Sequence, residues 1–536
     1  MLKTVFQPST YQRAIFQAVK DGEKSLVITA CPGSGKTTTI QQIIRYIPAN
    51  ATVLMVAFNV EASRQLQSKV DDISRAMHDE NMATPLVNCS TIHSLGNQTI
   101  SSAGIRGQAK GYKYSKIAKE YLQSQGVFDK NTPQDLTDLC DKVRLTLSSF
   151  QKPDGEIDEA VLQNLCDRFE IEFDEKYKQI CFNAVPKILK VGIDQARIGN
   201  IDFTDMIWLP AILELQPRRY DHVLVDEAQD LNPAQLALVL KARKPNGRFI
   251  AVGDVNQAIY GFAGASLESI QEIIEATDAN TLPLSICYRC PTSAIQKAAS
   301  IYSGIEAAPN MPKGEIRTIL DKDITDLARP GDLILSRCTA PLVSLCLELL
   351  RDGKRATIRG RDLGKSLGKA IDQIKKYWQQ VQYGQLSIDD LPIATGMFLS
   401  AQLDSLQGDG HEMKRANLQD KIDTLLCLLS HYTANHTHKS LEGFQEYIIN
   451  FFEEDKNAQI ILATGHRAKG LEYPRVFIVS SNKQPHPLAK TSEAITQEYN
   501  LMYVMYTRVL YQAHTNGSGT LFLGIDENFQ RIEESY

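Results

Sequence analysis

A segment near the amino terminus has the residues and the spacing of a phosphate-binding loop. The run Ala30–Thr37, ACPGSGKT, follows an apolar stretch and precedes a helical pattern, which is the context that such a loop requires. Its glycines let backbone N–H groups turn towards a phosphate, and the start of the helix adds its positive end. The residues expected to hold a nucleoside triphosphate are Ala30, Cys31, Pro32, Gly33, Ser34, Gly35, Lys36, Thr37 and Thr38.

Two side chains of this loop carry defined chemistry. Lys36 should reach the β and γ phosphates, and the Thr37 hydroxyl should bind a magnesium ion. The first position of the pattern is Ala30, where glycine is usual. The loop alone therefore leaves open the alternative of a glycine-rich turn without a ligand.

A second apolar run ends in acidic residues. Residues Val223–Asp230 read VLVDEAQD, a strand pattern followed by three carboxylates and a glutamine. Asp226 can hold magnesium through a water molecule, and Glu227 can orient and deprotonate the attacking water. An acidic cap of the next helix is the alternative, but a cap needs only one acid. The two motifs together predict ATP hydrolysis with Mg²⁺.

The elements that must position these residues alternate between short apolar strands and helices in two blocks. This alternation predicts α/β domains with parallel sheets, whose ligand sites lie at the carboxyl ends of the strands. Mainly helical stretches interrupt the blocks at 97–200 and 362–455. The predicted strands are 25–30, 52–58, 222–227 and 249–253 in the first block, and 332–336, 460–464, 476–480 and 520–524 in the second.

The composition is that of a globular protein with more than one domain. A chain of 536 residues is too long for one core, and its 43% hydrophobic and 23% charged residues are ordinary. No apolar run reaches the roughly 18 residues of a membrane-spanning helix, and no signal peptide is recognisable. The sequence therefore predicts a cytoplasmic protein. The net charge of −5 neither favours nor excludes a nucleic-acid partner, because only the local field meets the phosphates.

The cysteines and histidines do not have the spacing of a metal site. One Cys-x-x-Cys pair occurs, Cys287 and Cys290, without a second pair beside it. Because zinc and iron–sulfur sites usually need four ligands, we interpret these cysteines as reduced packing residues. His431, His436 and His438 lie in a polar stretch and are interpreted as part of a solvated face.

In their order along the chain, these motifs resemble those of the UvrD/Rep/PcrA-type branch of superfamily 1 DNA helicases. The resemblance implies two tandem RecA-like motor domains with parallel sheets, each interrupted by a mainly helical insertion. The boundaries expected are 1–96 and 201–283 for the first motor domain with its insertion at 97–200, and 284–361 and 456–536 for the second with its insertion at 362–455.

The resemblance also implies the contacts of the nucleoside. Gln12, in the segment PSTYQ, matches the glutamine that reads adenine, and Tyr288 matches the aromatic residue that stacks on the base. Gly470 and Glu472 lie in ATGHRAKGLE, which matches the segment joining the ribose contact to the nucleic-acid side.

Three further residues match positions that act on the γ-phosphate. Gln257 matches the residue that links this phosphate to the nucleic-acid groove. Arg289 and Arg508 match two arginines that the second motor domain points at it. Two arginines on a separate domain stabilise transition-state charge only when the cleft is shut, so hydrolysis would be coupled to domain motion. Either arginine alone would more commonly be a surface ion-pair partner.

Aromatic residues at strand ends predict a path for single-stranded DNA. Phe58 lies at the end of one predicted strand, and Tyr260 and Phe262 follow another. At such strand ends an aromatic ring can stack on an unpaired base for about 1–3 kcal/mol. Packing in the core is the alternative reading of each residue taken alone. The resemblance implies that all three line the path, and that its polar contacts include Asn59, Thr91, His93, Arg337, Thr464 and His466.

Several positions depart from the family pattern. Ala263 stands where an arginine is usual, Thr339 replaces an asparagine and Thr38 replaces an arginine. Phe262 takes the place of a tryptophan. These departures affect the DNA path and the surroundings of adenine, and they leave the hydrolytic residues unchanged.

The sequence thus predicts an ATP-dependent translocase and helicase on single-stranded DNA and its junctions, with 3′ to 5′ polarity implied by the resemblance. One alternative is a DNA-stimulated ATPase that needs a loading protein to unwind, or that displaces proteins, which the short second insertion favours. Others are an ATP-dependent sensor without nucleic acid, and a motor on RNA. A monomer or transient oligomer is expected, and repair, replication, plasmid or phage replication and phage defence remain open as pathways.

Overall fold

The computed structural model describes residues 6–22, 24–57, 59–129, 132–148, 157–169, 171–259, 269–382, 384–406, 412–511 and 519–529. The chain divides into two compact units, Met1–Ser285 and Ile286–Tyr536. Among the described residues, no helix is long and apolar enough to cross a membrane.

The first unit contains a six-stranded sheet in which every pairing is parallel. Its strands are β1 Leu26–Ala30, β2 Thr52–Ala57, β3 Leu86–Thr91, β4 Tyr220–Val225, β5 Arg243–Gly253 and β6 Asn280–Leu284. They lie in the order β3-β2-β4-β5-β1-β6. The four strands predicted for this half form the interior of the sheet, and β3 and β6 are its edges.

Both faces of this sheet are covered. Along β1, Leu26 and Ile28 belong to an apolar cluster on one face, whereas Val27 belongs to the cluster on the other face. A strand buried on both faces must be apolar at consecutive positions. This explains why the interior strands were recognisable in the sequence.

The helices of the first unit lie around the sheet and in a long segment between β3 and β4. In that segment an apolar core of its own, including Leu136, Leu139 and Val185, holds the helices together. The helices are α1 Thr10–Asp21, α2 Lys36–Gln42, α3 Val60–Asp79, α4 Ile92–Ser102, α5 Lys113–Ser124, α6 Thr132–Leu145, α7 Glu159–Phe169, α8 Glu175–Arg197, α9 Phe203–Ile212, α10 Pro233–Lys241 and α11 Ser269–Thr277.

The second unit also contains a six-stranded parallel sheet. Its strands are β7 Ile286–Cys287, β8 Glu306–Ala307, β9 Glu315–Leu320, β10 Asp332–Ser336, β11 Ala356–Ile358, β12 Ile460–Thr464, β13 Arg475–Ile478 and β14 Thr520–Ile525. Six of them form a parallel sheet in the order β11-β12-β10-β13-β14-β9, and β7 pairs with β8 separately. The four predicted strands are again the interior ones.

The helices of the second unit are less segregated from its sheet. The core of the segment between β11 and β12, including Ile371, Leu425 and Phe444, is continuous with Ile334 and Leu462 of the sheet. The helices are α12 Thr292–Ala299, α13 Ile324–Leu327, α14 Ala340–Arg351, α15 Arg361–Gln382, α16 Leu391–Ser405, α17 Glu412–Asn435, α18 Leu441–Phe451 and α19 Ser492–Tyr506. The fold is therefore the predicted one of two parallel α/β domains with helical insertions.

A buried ionic network joins three helices of the first unit. The Asp205 carboxylate accepts hydrogen bonds from Lys113 Nζ at 2.5 Å and from Arg144 Nη1 at 3.1 Å. Arg144 also donates to both carboxylate oxygens of Asp202, at 2.8 and 2.9 Å, and its guanidinium lies over the Tyr114 ring. Asp202 and Asp205 form the capping box of α9. The network therefore fixes the start of α9 against α5 and α6.

We predict that Asp205→Ala lowers the free energy of unfolding by about 3–5 kcal/mol, because it leaves two buried cations without their shared carboxylate. Chemical denaturation of the variant and the unsubstituted chain measures this difference. Asp72→Ala is the matched control, since Asp72 pairs with Arg75 on an exposed face of α3 and should contribute less than about 1 kcal/mol. Equal effects of the two substitutions would contradict the importance of the network.

Candidate nucleotide and nucleic-acid sites

The phosphate loop connects β1 to α2. Gly33 and Gly35 have φ angles of 67° and 81°, in the left-handed region that favours glycine. The Ser34 hydroxyl donates to the Cys31 carbonyl at 2.8 Å and holds the turn. The loop therefore has the backbone form that its sequence predicted, and Lys36 is the first residue of α2.

The acidic end of β4 lies against this loop. Lys36 Nζ is 3.2 Å from Glu227 Oε1, and Thr37 Oγ1 donates to Asp226 Oδ2 at 3.3 Å. Glu227 has a φ of 51°, a left-handed conformation that is strained for a residue with a Cβ and is found preferentially at functional sites. The structure thus brings together four residues that the sequence placed in two separate motifs.

A third acid, Asp254, was not predicted. It follows β5 directly and is buried, and Gln257 Nε2 donates to its Oδ2 at 2.7 Å. Since β5 lies between β4 and β1, its carboxyl end must open onto the same site. An acid directly after the predicted strand 249–253 was the signal that could have identified it.

Gln229 links this acid to Glu227. Its Nε2 donates to Glu227 Oε2 at 2.6 Å, and its Oε1 accepts the N–H of Asp254 at 2.9 Å. Gly253 leaves the room for this side chain, because a Cβ there would lie 2.7 Å from Gln229 Oε1. Glu227, Gln229, Asp254 and Gln257 therefore form one continuous chain of hydrogen bonds.

The charges of the site depend on one another. Burial disfavours the charged form of Lys36, but the carboxylates of Glu227, Asp254 and Asp226 outweigh it and raise the lysine pKa. Burial raises the pKa of Asp226 and of Asp254 to about 6. Three carboxylates around one ammonium leave an excess of negative charge. The Thr37 hydroxyl and the Asp226 carboxylate, whose oxygens lie 3.3 Å apart, offer the oxygen ligands that Mg²⁺ prefers, so these two residues fit this ion.

In the structure, the Gln12 side chain forms hydrogen bonds within the protein, to Ser9 and Thr39. Its Oε1 accepts the Ser9 N–H at 3.0 Å in the capping box of α1, and its Nε2 donates to Thr39 Oγ1 at 2.9 Å. The side chain is buried and joins α1 to α2. The predicted adenine contact of Gln12 stays a prediction, and Thr39 is a partner that sequence reasoning missed.

In the second unit, three separate sequence segments meet around the two arginines. Arg289 Nη2 lies 2.5 Å from Glu472 Oε1, so two residues predicted for the nucleotide site pair with each other. The Arg289 carbonyl accepts the Tyr511 N–H at 2.9 Å, and the Arg508 carbonyl accepts the Tyr473 N–H at 3.1 Å.

The side chains near these arginines differ in exposure. Arg508 is 2% exposed, and its guanidinium donates to the Val504 carbonyl at 2.8 Å and to Thr507 Oγ1 at 3.1 Å. Tyr288 is 47% exposed, and its stacking on the base stays a prediction. Gly470 adopts a φ of 85°, which requires glycine at this turn.

The polar residues predicted for the DNA path in the second unit are largely buried. Arg337 Nε donates to Glu498 Oε1 at 2.6 Å, and Thr464 ends β12. Burial, reinforced by Arg337 and Arg467, lowers the pKa of His466 to about 3, so this imidazole is neutral at neutral pH. Glu498 lies 161 residues from Arg337, and no local pattern could have identified it.

In the first unit, the predicted polar contacts cap helices at the strand ends. Asn59 Oδ1 accepts the Ala62 N–H at the start of α3, and Thr91 Oγ1 accepts the Ser94 N–H at the start of α4. The ring of His93 lies edge-on to that of Phe203, with centroids 6.5 Å apart. Phe203 is 59% exposed and was not predicted. The three predicted path aromatics, Phe58, Tyr260 and Phe262, lie outside the described residues.

Comparison with known proteins adds independent evidence. The probable DNA helicase II homolog of Mycoplasma genitalium is 22% identical over 92% of this chain and 82% of that protein. The ATP-dependent DNA helicases UvrD1 of Mycobacterium leprae and PcrA of Leuconostoc citreum are 27% and 25% identical, each over 53% of this chain and 38% of the relative.

A family model described as the UvrD/REP helicase N-terminal domain matches residues 11–278, which is half of the chain. The matched range contains the phosphate loop, the acidic end of β4, Asp254 and Gln257. The chain therefore belongs to the UvrD/Rep family of helicases.

Proposed function

We propose that this protein is an ATP-dependent DNA helicase that moves 3′ to 5′ along single-stranded DNA and separates the duplex ahead of it. The observation that carries the proposal is the cluster of Lys36, Thr37, Asp226 and Glu227 at the carboxyl ends of β1 and β4, connected by hydrogen bonds to Gln257. The names of the relatives, ATP-dependent DNA helicases, support ATP as the fuel and DNA as the substrate.

Each residue of the cluster has one task in hydrolysis. Lys36 holds the β and γ phosphates. Thr37 and Asp226 would hold Mg²⁺, which would neutralise phosphate charge when bound. Glu227 accepts the proton of the attacking water. Arg289 and Arg508 stabilise the charge that develops on the transferred phosphoryl group.

The hydrogen-bond chain from Glu227 supplies the link between hydrolysis and movement. Gln229 contacts Glu227 directly, and Asp254 connects Gln229 to Gln257 through bonds of 2.9 and 2.7 Å. A change at the γ-phosphate that moves Glu227 or Gln257 therefore reaches the segment after β5 without a longer relay. The predicted aromatics Tyr260 and Phe262 belong to that segment.

The DNA path of the first unit runs over the carboxyl ends of β2 and β3. The starts of α3 and α4 direct N–H groups towards a phosphate, and Asn59 and Thr91 stand at these two helix starts. His93 and the exposed ring of Phe203 lie beside them, where a base can stack. Phe203 thus joins the predicted path residues.

Strand displacement tests the proposed activity and its direction. We expect single-stranded DNA to stimulate ATP hydrolysis, and duplexes with a 3′ single-stranded tail to be unwound in preference to those with a 5′ tail. Preference for the 5′ tail would reverse the polarity. DNA-stimulated hydrolysis without unwinding would favour a translocase that requires a loading protein, and stimulation by RNA alone would change the substrate.

Glu227→Gln is expected to retain ATP binding and to lower hydrolysis by about 10²–10⁴-fold, because the amide keeps the shape of the carboxylate but accepts no proton. Binding of a fluorescent ATP analogue and steady-state phosphate release measure the two properties. Lys36→Ala is the comparison, and it should weaken both. Near-normal hydrolysis by the Glu227→Gln variant would assign the base to another residue.

Phe203→Ala is expected to weaken single-strand binding by about 1–3 kcal/mol through the loss of one stacked base. Hydrolysis without DNA should be unchanged, because Phe203 is not part of the nucleotide site. Fluorescence anisotropy with labelled oligonucleotides measures the affinity. Ile198→Ala, another exposed apolar residue of the first unit, is the matched control and should leave DNA affinity unchanged. Equal affinities of both variants would remove Phe203 from the path.

A further inference from the structure

Two cysteines enclose the residues Tyr288 and Arg289. Cys287 ends the short strand β7, and Cys290 lies two residues before α12. Both side chains are fully buried, and the Cys290 N–H donates to Cys287 Sγ at 3.4 Å. No third metal-binding side chain joins them among the described residues. The pair therefore has the spacing and the proximity for a bond between its two sulfur atoms.

The pair also contacts the segment that carries the second arginine. Cys290 Sγ donates to the carbonyl of Thr507 at 3.5 Å, and Thr507 directly precedes Arg508. On the other side, the Arg289 carbonyl accepts the Tyr511 N–H at 2.9 Å. A change at Cys290 therefore acts on Arg289 through the chain and on Arg508 through one hydrogen bond.

The two thiols differ in their chemistry. The hydrogen bond from the Cys290 side chain, helped by the N–H groups of Cys290 and Arg289, lowers the pKa of Cys287 to about 7 in spite of burial. The same contact raises the pKa of Cys290. Burial instead raises the pKa of other thiols such as Cys346 to about 12. Cys287 is therefore the nucleophile of the pair, since thiolates and not thiols attack disulfides.

We propose that Cys287 and Cys290 form a reversible dithiol–disulfide pair, and that its oxidation by a small-molecule disulfide displaces Arg289 and Arg508 and stops ATP hydrolysis. The assignment of Cys287 and Cys290 as the site of oxidation is argued from the closeness of the two side chains. Its effect on hydrolysis rests on the function proposed above for the two arginines.

The exchange takes place in two balanced steps. The Cys287 thiolate attacks one sulfur of the oxidant, whose S–S bond breaks, and the departing thiolate takes up a proton. Cys290 then loses its proton to solvent and its sulfur attacks Cys287 Sγ, which releases the second thiol. Counting the proton that Cys287 loses to solvent when it ionises, the pair gives up two electrons and two protons, and the oxidant becomes two thiols.

Access to the buried pair requires only a local opening. Strand β7 has two residues and pairs with the equally short β8, so little hydrogen bonding holds it in place. Proteins open locally at free energies below that of global unfolding, and regions with few backbone hydrogen bonds are among those that open. The neighbouring Tyr288 is exposed, so this segment lies at the surface of the second unit.

Closing the bond alters both arginine segments. The two sulfur atoms must approach to about 2.05 Å, which constrains the backbone on either side of Arg289. Cys290 then has no S–H to donate to the Thr507 carbonyl. Arginines that act on a transferred phosphate contribute about 10³–10⁵-fold to its rate, so a small displacement has a large effect.

Tryptic digestion without reduction detects the bond directly. Trypsin cleaves after Arg289, and no lysine or arginine lies between residues 249 and 288, so the two cysteines fall in the peptides 249–289 and 290–297. After treatment of the intact protein with oxidised glutathione, we expect these two peptides to remain joined. Dithiothreitol should separate them.

The second readout is ATP hydrolysis, with each variant compared with its own reduced form. Oxidation should lower hydrolysis at least about tenfold, and reduction should restore it. Cys287→Ser and Cys290→Ser should each abolish both the joined peptides and the inhibition. Cys427→Ser, which removes a half-buried thiol of α17, is the matched control and should keep both. Inhibition that Cys31→Ser abolishes would belong to the phosphate loop and would overturn the proposal.

The outcomes separate this proposal from the proposed function. Absence of joined peptides in the unsubstituted chain overturns the pair, whether or not the serine variants fold. Joined peptides with undiminished hydrolysis overturn its effect on the arginines. A reduced protein that does not hydrolyse ATP counts against the proposed function, and the peptide result still decides whether the pair is oxidised.

Discussion

The proposed nucleotide site depends on the mutual compensation of partly buried charges around Lys36. An ammonium and three carboxylates with restricted access to water are each unfavourable alone, and each becomes acceptable through the presence of the others. The strand order β4-β5-β1 enforces this arrangement, because it places the ends of three adjacent strands at one edge of the sheet. The hydrogen bonds of Gln229 and the small size of Gly253 then fix the carboxylates in their relative positions.

The sequence predicted the interior of both sheets and missed their edges, for one physical reason. Interior strands are covered on both faces and are therefore continuous apolar runs, as in Val223–Val225. Edge strands carry exposed or polar residues, and β6 contains a proline, so no apolar run marks them. The phosphate-loop motif and the acidic motif in the sequence likewise identified Lys36 and Glu227. It could not reveal the pairing of Arg337 with Glu498, which depends on the folded chain alone.

On the DNA side, the proposed path relies on hydrogen bonding and stacking more than on charge. Arg337 is paired with Glu498, His466 is neutral, and Asn59 and Thr91 are uncharged. Recognition of this kind suits a motor, because stacking is indifferent to base sequence and a strand held by few ion pairs can be released at each step.

The two helical segments differ in how they are attached to their sheets. The first has a core of its own, whereas the second shares one apolar cluster with β10 and β12. Its helix α17 also supplies Asp420, whose carboxylate accepts the N–H groups of Thr339 and Ala340 at 2.8 and 2.9 Å at the start of α14. Cooperativity follows the continuity of packing, so we expect the second segment and its sheet to unfold together. An insertion or deletion between β11 and β12 is therefore a change to the hydrophobic core of the second unit, and we expect it to lower the free energy of unfolding more than one between β3 and β4.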